Sequence, residues 1–231
     1  MVRRHIQSEF APDVYVFPGG SVTDDDQQAE RTPGLCVASV GDDTDNDAGD
    51  TLGSGFRVAA MRECFEEAGV LLARRGTDML AVGEDDVARI ANYRTALQQR
   101  QLTMSALAGQ EELTFATDAL MPWAHWITPE AMPKRFDTRF FLAEMPTSQE
   151  AAYDHLETTD GVWITPEEAS AGYERGDFPL VFAQIHQLRE LHGLGSFADA
   201  HARFAGHAPR TIMPRVAERD GKPVILLPDE D

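Results

Sequence analysis

With 231 residues, 42% of them hydrophobic, the chain carries enough apolar material for one enlarged domain and too much for wholesale disorder. Acidic residues outnumber basic ones by 39 to 20, and the resulting formal charge of −19 argues against nucleic acid or a membrane as a partner. The same charge repels a phosphorylated small molecule unless cations or a local basic patch intervene.

Val14-Tyr15-Val16-Phe17 predicts a short buried strand, stopped by Pro18-Gly19-Gly20. Residues 23 to 55 are polar, acidic and short of apolar periodicity, which predicts an exposed loop. Within it, Gly41 to Asp50 lacks the ligand spacing and closing glutamate of a calcium loop. From Phe56 to about Arg74 a helical period emerges, with Val58, Met61, Phe65 and Leu72 on one side and Gly69 near its end. Residues 84 to 110 predict a further helical region, and Trp123–Thr128 and Arg135–Glu144 predict two extended segments. Gly161 to Thr165 reads as a strand leading into a helix that opens at Pro166-Glu167-Glu168. Residues 180 to 205 are helical in pattern, and Asp220-Gly221 sits between two extended runs as a hairpin turn. Strands alternating irregularly with helices give an α/β (α+β layered) fold.

Cys36 and Cys64 are the only cysteines and share no metal-ligand spacing, which suggests a reducing, cytoplasmic setting. Cys64 is expected to face the core as a small apolar residue. No apolar stretch approaches the roughly 18 residues of a membrane span, and no hydrophobic region follows the charged start Met1 to His5.

The segment Arg62-Glu63-Cys64-Phe65-Glu66-Glu67-Ala68-Gly69-Val70 carries the chemistry. On a helix, Glu63 lies three positions from Glu66 and four from Glu67, so the carboxylates share one flank. Uncompensated, such spacing destabilises a helix; around magnesium, which takes carboxylate and phosphate oxygens, it is favourable. A solvated acidic face is the competing reading of three glutamates alone.

The segment resembles the second half of the Nudix box, G-x(5)-E-x(7)-R-E-U-x-E-E-x-G-U, with Arg62, Glu63, Glu66, Glu67 and Gly69 all in register. Such a match arises by chance in roughly one chain in several thousand at ordinary residue usage. Phe17-Pro18-Gly19-Gly20 resembles the turn that opens the box, and Asp26 stands where the box has its first glutamate. The unbroken pattern would place the arginine at 34, but it stands at 62, an insertion of about 28 residues. A box split in this way resembles the Nudix subgroup that includes the peroxisomal coenzyme A diphosphatase. Arg135-Phe136-Asp137-Thr138-Arg139-Phe140-Phe141 is its best further marker. The subgroup's upstream signature is matched at Arg4 and Phe17 to Gly20. His5, Glu9 and Asp13 stand where that signature has a small residue, an arginine and a glycine.

The resemblance implies a single Nudix domain over residues 1–231, a mixed β-sheet sandwiched between helices. It would carry an acidic loop insertion at 27–55, a helical insertion at 84–110 and a C-terminal helical region at 180–205. The resemblance implies a diphosphatase using Mg2+ or Mn2+, with Glu63, Glu66, Glu67 and the Gly20 carbonyl as ligands. Arg62 would hold a box glutamate, and the general base is either a box glutamate or Glu157. Arg4, Lys134, Arg135 and Arg139 are candidates for binding substrate phosphates, with an ion pair to Asp137 as the alternative for the last three. Trp123 and Trp126 are expected in the core rather than stacked on a substrate base, and the histidines form no ligand constellation. The substrate is a nucleoside diphosphate derivative. Coenzyme A or an acyl derivative, a nucleotide sugar and a dinucleotide all remain open, as does a non-catalytic binding module. The resemblance also allows a homodimer.

Overall fold

The computed structural model describes residues 1–8, 11–37, 54–154 and 158–230. In chain order, β1 (Val2–Arg4) and β2 (Tyr15–Val16) precede α1 (Asp24–Arg31) and α2 (Phe56–Ala68). Then come β3 (Ala73–Arg75), β4 (Asp78–Met79), α3 (Val87–Gln98), α4 (Met104–Glu111) and β5 (Thr114–Phe115). The long strands β6 (Met121–Ile127) and β7 (Asp137–Leu142) follow, then β8 (Thr158–Gly161) and α5 (Pro166–Arg175). The chain continues with α6 (Phe182–Glu190), α7 (Phe197–Phe204), β9 (Thr211–Ile212), β10 (Arg215–Arg219) and β11 (Lys222–Leu226).

Among the described residues, three small sheets run in the orders β2-β1-β8, β4-β3-β5 and β7-β6-β9, and β10-β11 forms a hairpin. The β6–β9 pairing is parallel and the other paired strands are antiparallel, so the strand pairing is mixed.

α2 is the element on which the site depends. Val58, Met61 and Phe65 are 0%, 0% and 1% exposed, the inward stripe that the sequence period predicts. Burying such side chains stabilises by about 1.5–3 kcal/mol each. The helix is shorter than its apolar period because Gly69 adopts φ 73° and stops it, its N–H bonding the Phe65 carbonyl. Leu72 still reaches the core, from the chain beyond the helix.

The structure corrects the loop expected from residue 23 onward. Asp24–Arg31 is helical, opened by a capping box in which Thr23 and Asp26 bond each other's backbone N–H groups. Its inward positions are Asp26, Ala29 and Glu30, so the apolar period that would have revealed it is replaced by carboxylates. Gly41 to Asp50, weighed above against a calcium loop, lies outside the described residues.

The helical region expected at 84–110 is divided by Gln99–Leu102, where Arg100 takes φ 56° and Thr103 caps the next helix. Residues 180–205 are divided likewise, with Gly193 at φ 78° and Ser196 capping α7. The strand expected at Gly161–Thr165 is displaced to Thr158–Gly161, which pairs with β1. Val162 and Ile164 still pack inward while Trp163 is 75% exposed, so the apolar alternation had reported burial rather than hydrogen bonding. The Asp220-Gly221 hairpin turn forms as expected, with φ 52° and 73°.

Candidate active site

Phe17 sets where the glycine turn goes. Its ring meets Trp123 and Phe140 edge-on, with centroids 6.0 and 6.3 Å away. With its amide assigned from its hydrogen bonds, the buried Gln184 donates to the Tyr15 carbonyl at 2.8 Å and accepts from Phe17 N at 3.2 Å. The chain leaving β2 is therefore fixed just before Pro18-Gly19-Gly20.

That turn lands on α2. Gly19 N–H donates to Glu67 Oε2 at 3.1 Å. A Cβ built on Gly20 would lie 2.3 Å from Glu63 Oε1, so any side chain there would displace that carboxylate. Arg62 completes the contact: Nη2 donates to the Ser21 carbonyl at 2.8 Å, Nε to Asp26 Oδ1 at 3.0 Å and Nη1 to Glu63 Oε1 at 2.7 Å. Glu66 lies further off, 3.6 Å from the same Nη1. Burial works against the Arg62 charge, but the hydrogen bonds and charges of Asp26 and Glu63 outweigh it and raise its pKa. The two halves of the split box thus meet in space, Gly19 to Asp26 against Arg62 to Glu67.

Two residues of α1 organise α2. Asp26, fully buried, anchors Arg62. Glu30, 5% exposed, accepts from Gly55 N at 2.8 Å, Arg57 N at 2.8 Å and Val58 N at 3.2 Å. The N-cap of α2 is a glycine with no capping side chain, so Glu30 supplies the cap from another helix. The sequence reading missed Glu30. Its one signal is its place one helical turn after Asp26, on the same flank.

Glu63 and Glu66 side chains are 12% and 16% exposed, and Glu67 is 4% exposed as a residue. Among the described residues, no three His, Cys, Asp or Glu side chains are already gathered as a metal cage. Arg62 holds Glu63, whereas Glu67 turns to Gly19. The donor set nevertheless fits a hard divalent cation, because the carboxylates of Glu63, Glu66 and Glu67 offer only oxygen.

Glu157 lies outside the described residues. Arg4 ends β1, its N–H on the Val14 carbonyl at 3.0 Å. Arg139 forms the ion pair with Asp137 and lies over the Phe56 ring at the start of α2, 5.0 Å from its centroid. Lys134 lies over Phe136 at 5.6 Å, and Arg135 donates to the Thr128 carbonyl at 3.1 Å. These two contacts stay within the β6–β7 connection. Trp123 and Trp126 are both 6% exposed and pack in the core. Asp13, which replaces a signature glycine, adopts φ 58° and pairs with Arg3 at 2.9 Å. Asp13 thus adopts a backbone conformation that glycine favours, in a residue type that tolerates it better than most. Cys64 is a free thiol packed against the core, which burial, reinforced by Glu67, pushes up to about 11.

A Pro-Gly-Gly segment leaving a strand and docked against a helix of spaced glutamates, in a chain of mixed strand pairings, is the arrangement of the Nudix class. The family described as "NUDT19 Nudix domain" matches residues 37–191, more than half of the chain, and the chain belongs to this Nudix family. It is 24% identical to an acyl-coenzyme A diphosphatase NUDT19 of Xenopus laevis, over 100% of this chain and 70% of that protein. It is 27% identical to the acyl-coenzyme A diphosphatase NUDT19 of Homo sapiens, over 90% of this chain and 64% of that protein. The chain thus spans about two thirds of the length of these relatives. The crystal structure of a Nudix hydrolase from Alicyclobacillus acidocaldarius superposes with a TM-score of 0.66 at 26% identity, covering 87% of this chain and 86% of that one.

Proposed function

We propose that the chain is a divalent-cation-dependent diphosphatase acting on a nucleoside diphosphate derivative of the coenzyme A class, an acyl-coenzyme A included. The observation that carries this reading is the meeting of the split box, Gly19-Gly20-Ser21 against Arg62, Glu63 and Glu67. The relatives named as acyl-coenzyme A diphosphatases support the substrate class.

Glu63, Glu66 and Glu67, with the Gly20 carbonyl, would hold Mg2+ or Mn2+. When bound, the cation offsets charge on the diphosphate oxygens and favours attack by water. Arg62 keeps Glu63 and the Ser21 carbonyl in fixed relation, and Asp26 fixes Arg62 in turn. Gly19 N–H orients Glu67. Arg139, over Phe56 at the head of α2, is our candidate for the substrate's remaining negative charge.

The test is a panel of coenzyme A, acyl-coenzyme A, nucleotide sugars and dinucleotides, with Mg2+ or Mn2+ and phosphate-ester product detection, beside Glu66→Gln. We expect turnover of the coenzyme A compounds, a loss of about 100-fold or more in Glu66→Gln, and no turnover after chelation. Turnover of nucleotide sugars without coenzyme A would overturn the substrate class. No turnover of any diphosphate would overturn the enzymatic reading.

A further inference from the structure

Nothing in the sequence of α3 announces chemistry, yet one flank of it grips the glutamate helix. Arg94 and Gln98 stand one turn apart and so share that flank. Both reach the same acceptor, the Glu66 carbonyl oxygen, Arg94 through Nε at 2.9 Å and Gln98 through Nε2 at 2.8 Å. That carbonyl lies in the last turn of α2, where the helix supplies no N–H of its own.

The same two side chains reach across to the segment after β7. Arg94 Nη2 donates to the Ala152 carbonyl at 2.8 Å, and Gln98 Nε2 to Asp154 Oδ2 at 3.1 Å. Ala152 N–H in turn donates to the Ala68 carbonyl at 2.9 Å. α2, α3 and residues 152–154 are therefore locked together at the end of α2 that carries Glu66 and Glu67. The approach is close enough that a Cβ on Gly69 would lie 3.2 Å from Arg94 Nη1. A guanidinium at a helix C-terminus also meets the negative end of its dipole.

We infer that Arg94 and Gln98 are positioning residues, which fix the Glu66 backbone and so set how its carboxylate meets the cation. This rests on the metal-dependent reading above. It also gives a role to α3, which braces the box from outside it.

The experiment uses the full chain and measures Mn2+ affinity by the electron paramagnetic resonance of unbound Mn2+, without substrate. Thermal melting, and kcat and KM on the best diphosphate of the panel, are recorded alongside. Arg94→Met should weaken Mn2+ binding roughly tenfold and lower kcat by a similar factor, with KM within about twofold of the unsubstituted chain. Arg94→Lys should recover part of both, because it keeps the charge and one donor. Gln98→Leu should act in the same direction and carries the test if Arg94→Met does not fold. Arg74→Met breaks the Arg74–Asp118 ion pair on β3, at 2.8 Å, and should leave Mn2+ affinity unchanged. Unchanged Mn2+ affinity in both Arg94→Met and Gln98→Leu would overturn the inference, as would an equal change in Arg74→Met. Because Mn2+ binding is read without turnover, failure of the proposed reaction is distinguishable from failure of this positioning role.

Discussion

Gly20 is the position where the smallest change should have the largest local effect. Its φ is not in the left-handed region, so alanine is tolerated by the backbone there. The added methyl would instead collide with the Glu63 carboxylate 2.3 Å away and push it from Arg62. Gly20→Ala should therefore lower kcat by about 10- to 100-fold while shifting the thermal midpoint little, measured by steady-state kinetics and calorimetry. Unchanged kcat would remove Glu63 from the site. The glutamates, Arg62 and both glycines were legible at this scale, because the box fixes residue types at fixed spacings. Asp26 was legible as a box position but not as a fully buried partner of Arg62, since sequence spacing does not show what an acidic side chain meets across an insertion. The basic run around Asp137 allows either phosphate binding or an ion pair, and it is Arg139 that pairs with Asp137.

At the scale of elements, α2 is held by its neighbours more than by its own ends. Glu30 of α1 caps it, and α3 grips its last turn. Glu30→Ala would leave the buried N–H groups of Gly55, Arg57 and Val58 without that acceptor. We expect a loss of about 1–3 kcal/mol in unfolding free energy, read from urea denaturation, and a smaller loss for Glu30→Gln, which retains one acceptor oxygen. No loss in Glu30→Ala would show that α2 is capped otherwise. Phe65, 1% exposed, tests the apolar face: Phe65→Ala should cost about 3–5 kcal/mol in the same measurement. The apolar face of α2 was readable because its period is unbroken. α1 was not, because Asp26 and Glu30 point inward and are matched by Arg62 and by backbone N–H groups far along the chain. The breaks within the two longer helical regions left readable marks in Thr103 and Ser196, both N-caps, but the apolar pattern runs across them.

At the scale of the whole molecule, His125 ties three strands together. It lies in β6, 4% exposed, with Nε2 2.9 Å from Asp137 on β7 and Nδ1 2.7 Å from the Thr211 hydroxyl on β9. Burial, then the charge of Arg139, lowers its pKa below 6.5 against the opposing pull of Asp137. His186 is lowered likewise, by burial and then Arg189. The folded state thus binds fewer protons than the unfolded one as pH falls below the ordinary histidine value. This contribution to stability is intact above about pH 6.5 and is lost as pH drops below it. Urea midpoints measured from pH 7.5 to 5 should fall over that window, and less steeply in His125→Gln. An unchanged slope in that variant would exclude His125 as a source.

The sequence by itself determined the family, the glutamate helix and the Pro-Gly-Gly segment that meets it, because these depend on residue type at short, fixed spacing. Only the tertiary structure decided how the split box closes, that α1 and α3 hold α2 at its two ends, and that Asp13 takes a left-handed backbone conformation. Those outcomes depend on buried polar contacts between residues far apart in the chain. Such contacts are satisfied by geometry rather than by hydrophobicity, so they leave no periodic trace to read.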